Sequence, residues 1–265
     1  MFHHKSTAIP LENSLKHWNI GRLMLSFDEV DSTNDLVLRW IAKSKPIDGT
    51  VITSAYQRQG RGQIGRKWMG TPGKNLAYSA VLYPPALEAS KTFHAQMALS
   101  TAVLHAVREF SALEGLKLKW PNDLYYGDKK LGGMLVQTSL SGSRVQHLVF
   151  GTGININEED FHESLENPVS LLQITGKRHD HRELVDLLNK YLSDAYKMIL
   201  DAKWSQVSEI YHNSMLGRGQ RRKFLHFQEH ITFEAVVKGV TQDGRLHLVT
   251  DSEDRFFVMN EIKWI

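Results

Sequence analysis

The sequence contains no cysteine. That absence excludes disulfides, thiolate nucleophiles and cysteine-ligated zinc, and it fits a reducing compartment. Nor does any run approach the roughly eighteen apolar residues that would read as a membrane span, and the opening Met1-Phe2-His3-His4-Lys5 lacks an apolar signal region. A cytoplasmic protein with no membrane partner is the expectation. Charge of one sign is scarce too: 32 basic against 29 acidic side chains leave a formal +3, too little to argue for nucleic acid. There is no internal repeat, no thiol and no Ser-His-Asp order, which leaves hydrolase readings with little to stand on. At 265 residues the chain is long enough for one sizeable core and a small satellite domain.

What is present gathers between Ala55 and Trp68, AYQRQGRGQIGRKW. Gly60, Gly62 and Gly65 stand among Arg58, Arg61, Arg66 and Lys67. Glycine permits positive φ and close backbone approach, so its amides can face an anion. Arginine adds a planar fork that grips a carboxylate or phosphate, each charge-assisted bond contributing roughly 1.5–3 kcal/mol. The expectation is an anion clamp. The same glycines fit the dinucleotide-binding pattern, but that pattern must open a helix, and Met69-Gly70-Thr71-Pro72-Gly73 breaks one. A basic solvated loop without a ligand is the plainer alternative.

Along the chain, Leu23 to Val30 reads as a strand. Ser32 with Asp35 three residues on resembles a capping box, so a helix starts here and ends before Pro46. Ser32, Thr33 and Asn34 are then either helix caps or three adjacent hydrogen-bonding groups for a polar ligand. Thr50 to Tyr56 and Asn75 to Tyr83 flank the glycine loop as strands. Thr92 to Ser111 has helical periodicity, with Phe93, Met97, Leu104 and Val107 on one face and His94 and His105 off it, so both histidines read as solvated. A strand from Leu116 to Trp120 stops at Pro121-Asn122-Asp123. Met134 to Leu140 and Arg144 to Phe150 form a hairpin, and Gly151-Thr152-Gly153-Ile154-Asn155 reads as a strand end with exposed amides. Lys119 and Lys130 lie at strand ends beside turns. An amphipathic helix around Leu184 to Ala195 and a shorter one from Trp204 to Met215 follow. Leu216 to Lys223 reads as a basic, solvated linker. The remainder alternates as short strands with an Asp243-Gly244 turn, a small barrel of about forty-five residues that is marginal alone.

Taken together, a neutral polar triplet, an arginine-rich glycine loop, two lysines, an Asn-Asp pair and a second glycine-spaced strand suit a ligand both anionic and amide-like. Adenylation of a carboxylate by ATP with magnesium is such a case. In their order, Ser32-Thr33-Asn34, Gln57 with Gly60-Arg61-Gly62-x-x-Gly65-Arg66-Lys67-Trp68, Lys119-Trp120-Pro121-Asn122-Asp123, Lys130-Leu131-Gly132-Gly133 and Gly151-x-Gly153-Ile154-Asn155 resemble the biotin protein ligases. The resemblance implies an α+β fold, a mixed β-sheet with helices on one side (1–217) followed by a small SH3-like β-barrel (218–265). It implies biotin contacts at Ser32, Thr33, Asn34, Gln57, Gly60, Arg61, Gly62 and Gly133, and nucleotide contacts at Arg61, Arg66, Trp68, Asn122, Lys130, Gly151 and Asn155. Lys130, Arg61, Lys119 and Asp123 would serve the reacting centre. The substrates would be biotin and ATP with Mg2+, the partner a biotin carboxyl carrier protein domain, and the metal would travel largely on the ATP phosphates. A homodimer is left open.

The chain departs from that pattern at Gln63, where many members have a second arginine, and at Lys263-Trp264-Ile265, where some have an arginine near the nucleotide. About twenty residues precede Leu23, too few for a helix-turn-helix, so no DNA partner is expected. Two rivals stand beside the ligase reading: a lipoate or octanoate ligase of the same fold, and a non-enzymatic RNA-binding module.

Overall fold

A computed structural model describes residues 20–63 and 65–265. The expectations drawn from the first residues of the chain, on a signal region and a DNA-binding segment, fall on residues 1–19 and lie outside the described residues. The chain forms β1 (Met24–Phe27), α1 (Thr33–Lys43), β2 (Val51–Ser54), β3 (Asn75–Leu82), α2 (Thr92–Ser111), β4 (Leu116–Lys119), β5 (Asp123–Tyr126), β6 (Lys129–Ser141) and β7 (Arg144–Asn155). These seven strands make one mixed sheet in the order β1-β2-β3-β7-β6-β5-β4. Only β1 and β2 pair in parallel; the other pairs are antiparallel.

One face of the sheet is covered by α2 together with α4 (His181–Leu200) and α5 (Trp204–Ser214). α1 lies on the opposite face, packing Val37 against Ile52, Val81 and Val149. With both faces covered, β3 is buried along its whole length, which is why it reads as a continuous run of apolar and small residues rather than an alternation. The short α3 (Leu171–Thr175) between β7 and α4 has a Ser170/Gln173 capping box and carried no periodic signal at five residues.

α2 has the expected bounds, but it is buried on more than one face because α4, α5 and the sheet surround it. His94 is therefore buried, its ring edge-on to Trp204 at 5.7 Å, and His105 is half-buried and stacked on Tyr191 at 5.8 Å. Burial holds both imidazoles below their ordinary pKa. The expectation that they are solvated fails because amphipathicity locates one apolar face and is silent about a second.

The basic run is also not all linker. Arg221 opens β8 (Arg221–His226), which continues through β9 (Ile231–Val240), β10 (Leu246–Val249), β11 (Asp254–Phe257) and β12 (Ile262–Trp264) as an antiparallel sheet in the order β11-β10-β9-β8-β12. Arg221 pairs with Asp251 at 2.5 Å and Arg222 with Asp128 at 3.7 Å, so two of the run's four basic side chains are committed to carboxylates. The two sheets share one core, in which Phe224, Val237 and Leu246 join Leu118, Tyr211 and Met215. Trp120 Nε1 donates to the Gly244 carbonyl at 3.0 Å, and Val240 N donates to His212 Nε2 at 2.9 Å. Among the described residues no helix is long and apolar enough to cross a membrane.

Candidate active site

A cavity of about 780 Å³ opens on the α1 side of the large sheet. It gathers the start of α1, Gln57, the glycine loop, the Lys119–Asp123 corner, the first half of β6, the last turns of β7, a 164–168 wall and the rim of the small sheet. Ser32, Thr33, Asn34, Gln57, Arg61, Gly62, Arg66, Trp68, Lys119, Asn122, Asp123, Lys130, Gly133, Gly151 and Asn155 all line it. Gly60 does not; it is buried behind Trp68. Arg58 is turned away to Glu29 and Asp31, at 3.0 and 2.8 Å, and takes no part in a clamp.

One end of the cavity is neutral and polar. Ser32 caps α1, its Oγ accepting from Asp35 N at 3.4 Å, while the Asp35 carboxylate turns to Arg61 at 2.8 Å instead of completing a box. Gln57 Oε1 accepts from Thr33 N (2.8 Å) and Thr33 Oγ1 (3.1 Å). Beneath them Ser79 Oγ lies 2.7 Å from Thr33 Oγ1 and 2.6 Å from Asn34 Oδ1, and Asn34 Nδ2 donates to Gln137 Oε1 at 2.8 Å. Both polar atoms of the buried Asn34 amide thus have a partner within the protein. Ser79 and Gln137, on β3 and β6, were not legible from sequence, since nothing local marks a hydroxyl or amide that points under a distant helix.

The other end is cationic. Lys130 Nζ sits 2.7 Å from Asp123 Oδ1. Its backbone is pinned as well: Lys130 N donates to Asn167 O (2.7 Å) and Val169 N donates to Lys130 O (2.9 Å). Asn155 Nδ2 donates to Val169 O at 3.1 Å and reaches Lys130 O at 3.5 Å, while Asn122 Nδ2 donates to Met134 O. Lys119 Nζ donates to Tyr125 Oη at 3.3 Å and lies over the Tyr125 and Trp264 rings, 4.7 and 5.6 Å from their centroids. Burial holds the Lys119 ammonium below its usual pKa, partly countered by the Asp123 and Glu166 carboxylates, and burial likewise raises Tyr125.

The glycine loop departs from the expected nest of free amides. Among the described residues of the loop only Gly65 has positive φ, at 73°. Trp68 N donates to Gly60 O (2.8 Å) and Gly62 N to Arg66 O (2.7 Å), so the loop is a hairpin whose amides at these positions are spent internally. Gly60 is required for space: a Cβ there would stand 2.5 Å from Trp68 O. Charge is therefore presented by side chains rather than by backbone. The 151–155 stretch is the strand end expected, the last residues of β7, but its amides are not exposed: it is laddered to β3 and β6 on both sides, and its glycines admit neighbours from above. A Cβ on Gly153 would meet the Trp68 ring at 2.4 Å, and one on Gly151 would meet Asn34 Oδ1 at 2.2 Å.

The small sheet reaches the site despite lacking an arginine there. Phe227, Met259, Asn260, Ile262, Lys263 and Trp264 line the cavity, and Lys263 pairs with Glu166 at 2.5 Å across its mouth. β12, which carries Lys263 and Trp264, is three residues long and gave no periodic signal. Among the described residues no group of three or more His, Cys, Asp or Glu is placed to hold a metal. The carboxylates at the cavity, Asp123, Asp128 and Glu166, are paired with Lys130, Arg222 and Lys263.

Against known proteins, the profile of the biotin/lipoate A/B protein ligase family matches residues 26–155. The bifunctional ligase/repressor BirA of Bacillus subtilis (strain 168) is 25% identical over 240 residues, 89% of this chain and 72% of that protein. Biotin–protein ligase 2 of Arabidopsis thaliana is 28% identical over 247 residues, 90% of this chain and 73% of that one. Among solved structures, the biotin protein ligase from Aquifex aeolicus in complex with biotin and ATP superposes with a TM-score of 0.77 at 26% identity, covering 92% of this chain and 99% of its own. The order of the motifs, the sheet that carries them and these likenesses agree, and residues 26–155 form a biotin/lipoate protein ligase family domain.

Proposed function

We infer that this chain is an ATP-dependent biotin protein ligase, forming biotinyl-5′-AMP and passing biotin to a lysine of a biotin carboxyl carrier protein domain. The observation that carries this reading is one cavity with a neutral hydrogen-bonding end, Thr33 and Gln57, and a cationic end, Lys119 and Lys130, with Arg61 held by Asp35 at the start of α1. A bicyclic urea with an acid tail needs both. The substrate carboxylate attacks the α-phosphorus of ATP, the bond to the bridging α–β oxygen breaks, and pyrophosphate leaves. The ε-amine of the carrier lysine then attacks the acyl carbon, forms an amide and expels AMP. Arg61 and Lys130 neutralise the carboxylate and α-phosphate, which otherwise repel, and Arg66 faces the departing phosphates. Trp68, seated on Gly153, offers a flat surface to adenine. Asn155, with its Nδ2 committed, keeps Oδ1 as an acceptor toward the base.

Magnesium fits this lining as a companion of the triphosphate, since it binds through phosphates, waters and one or two carboxylates rather than a protein cage. Asp123, Asp128 and Glu166 are already paired with Lys130, Arg222 and Lys263, so the ATP phosphates would carry most of its coordination, with at most one or two of these carboxylates, and it would supply charge neutralisation at the leaving pyrophosphate. The division into a catalytic part to residue 217 and a barrel from 218, and a cytoplasmic setting where ATP is available, belong to the same proposal.

Lipoate is the rival substrate within the family. Its apolar chain offers no hydrogen bond to the neutral end, and a polar group that it buried there without a partner, such as the Gln57 amide nitrogen, would cost about 1–3 kcal/mol. The experiment is exchange of labelled pyrophosphate into ATP with magnesium. Biotin is expected to drive it; exchange with lipoate and none with biotin would overturn the assignment.

Gln63, also at the cavity, bears on how well the intermediate is kept. An arginine there would add a charge-assisted contact to the adenylate phosphate, roughly twice as strong as a neutral one. A difference of about 1–2 kcal/mol is roughly five- to thirty-fold. Gln63→Arg is expected to slow release of preformed biotinyl-AMP by that factor, with Gln63→Ala close to the parent. Equal off-rates for arginine and glutamine at low salt would mean that Arg66, Lys67 or Lys130 already neutralises the phosphate.

A further inference from the structure

Glu158 lies three residues beyond β7, is 2% exposed, and touches none of the cavity. Burying a carboxylate is unfavourable unless its oxygens are hydrogen-bonded. Here its Oε2 accepts from Thr71 N (2.8 Å) and Asn75 Nδ2 (2.5 Å), and its Oε1 accepts from Thr71 Oγ1 (2.6 Å). All three donors are neutral. Its backbone carbonyl accepts from the Ser170 hydroxyl at 2.6 Å, so the residue is itself fixed.

Thr71 is the point where the chain leaves the glycine hairpin for β3. Three residues earlier stands Trp68, which closes the hairpin through Gly60 O and lies against Gly153. Gly70, between them, is pressed against Asn75 so closely that a Cβ would stand 2.3 Å from its Nδ2. The hairpin is anchored covalently by β2 at its entry and by β3 at its exit, where Gly73 N also donates to Ala55 O (2.9 Å); Glu158 adds the side-chain bonds that hold Thr71 to Asn75. We propose that Glu158 is a positioning residue for the nucleotide half of the site: by holding Thr71 to Asn75 it sets the height of Trp68 over Gly153 and keeps the hairpin closed.

The geometry says which substitute retains the function. Glutamine can keep its carbonyl oxygen between Thr71 N and Asn75 Nδ2, while its amide donates to the Thr71 hydroxyl, which turns round to accept. Alanine leaves all three donors without a partner.

The test uses the full chain as wild type, Glu158→Gln and Glu158→Ala, with two readouts. The first does not depend on the ligase reading: tryptic cleavage after Arg61, Arg66 and Lys67, all exposed on the hairpin, followed by mass spectrometry under native conditions. Cleavage is expected to be about tenfold faster in Glu158→Ala and within twofold of wild type in Glu158→Gln, because opening of the hairpin exposes those bonds. The second rests on the proposed function: the KM for ATP in adenylate formation is expected to rise about tenfold in Glu158→Ala, with the KM for biotin within twofold and Glu158→Gln near wild type. Should Glu158→Ala fail to fold, Thr71→Ala, which removes the Oε1 contact from the other side, is read in its place and is expected to speed cleavage threefold or more. Unchanged cleavage in both alanine variants, or equal impairment in Glu158→Ala and Glu158→Gln, overturns the positioning role. A chain without biotin-dependent adenylation but with the cleavage pattern above would remove the function and leave the positioning role standing.

Discussion

Lys130→Ala is expected to slow biotinyl-adenylate formation about 10²–10³-fold, the loss typical of removing one preorganised donor from a developing charge. The magnitude follows from how little freedom Lys130 has. Two backbone hydrogen bonds to the 167–169 segment and the Asn155 side chain fix its Cα, and Asp123 fixes its ammonium at 2.7 Å, so charge is in place before substrate arrives. Removing the ammonium has a second effect. Asp123 is left as an uncompensated carboxylate facing two incoming anions, so part of the loss is repulsion and not missing attraction. Lys130→Ala with Asp123→Asn is accordingly expected to recover several-fold of the rate over Lys130→Ala alone, the non-additivity expected of residues in contact. Rapid-quench single-turnover adenylation measures both. A Lys130→Ala rate within twofold of wild type would remove the residue from the reacting centre.

The motifs made most of the site legible because each is local: a capped helix start, a glycine hairpin, a strand ended by Pro121, and lysines at turns. What they could not convey is what each residue touches. Asn34 reads as a ligand contact; it lines the cavity, and its amide also bonds Ser79 and Gln137, 45 and 103 residues away. Thr71 and Glu158, 87 residues apart, carry no mutual signal at all. Glycine was the most misleading letter. At Gly60, Gly151 and Gly153 it is present because another group occupies the space of a Cβ, and not because the backbone turns. The secondary structure was easier, since long periodic segments such as α2 announce their bounds, whereas the three-residue β12 and five-residue α3 are too short to show a period. His94 shows the same limit from the other side: burial on a second helix face depends on which helices pack there.

Gly151→Ala is expected to destabilise the fold by about 2–6 kcal/mol, although it adds a single methyl to a strand. The methyl would stand 2.2 Å from Asn34 Oδ1 and 2.9 Å from its Cγ, distances no packed atoms tolerate, and the strand cannot move because it is laddered to β3 and β6. Asn34 must give way. It then loses its contacts to Ser79 and Gln137, leaving two or more buried polar groups unpaired at about 1–3 kcal/mol each. Because Asn34 lies in the first turn of α1 next to Thr33, the same shift draws Thr33 off Gln57 and weakens the neutral end of the cavity. At roughly 2–4 °C per kcal/mol for a chain of this size, the melting temperature should fall on the order of 10 °C. A double-mutant cycle identifies the cause. Asn34→Ala removes the atoms that the methyl meets, so Gly151→Ala combined with Asn34→Ala should be no less stable than Asn34→Ala alone, a coupling as large as the single-mutant loss. Thermal unfolding of the three variants that gave additive losses would show that the glycine is there for some reason other than the amide above it.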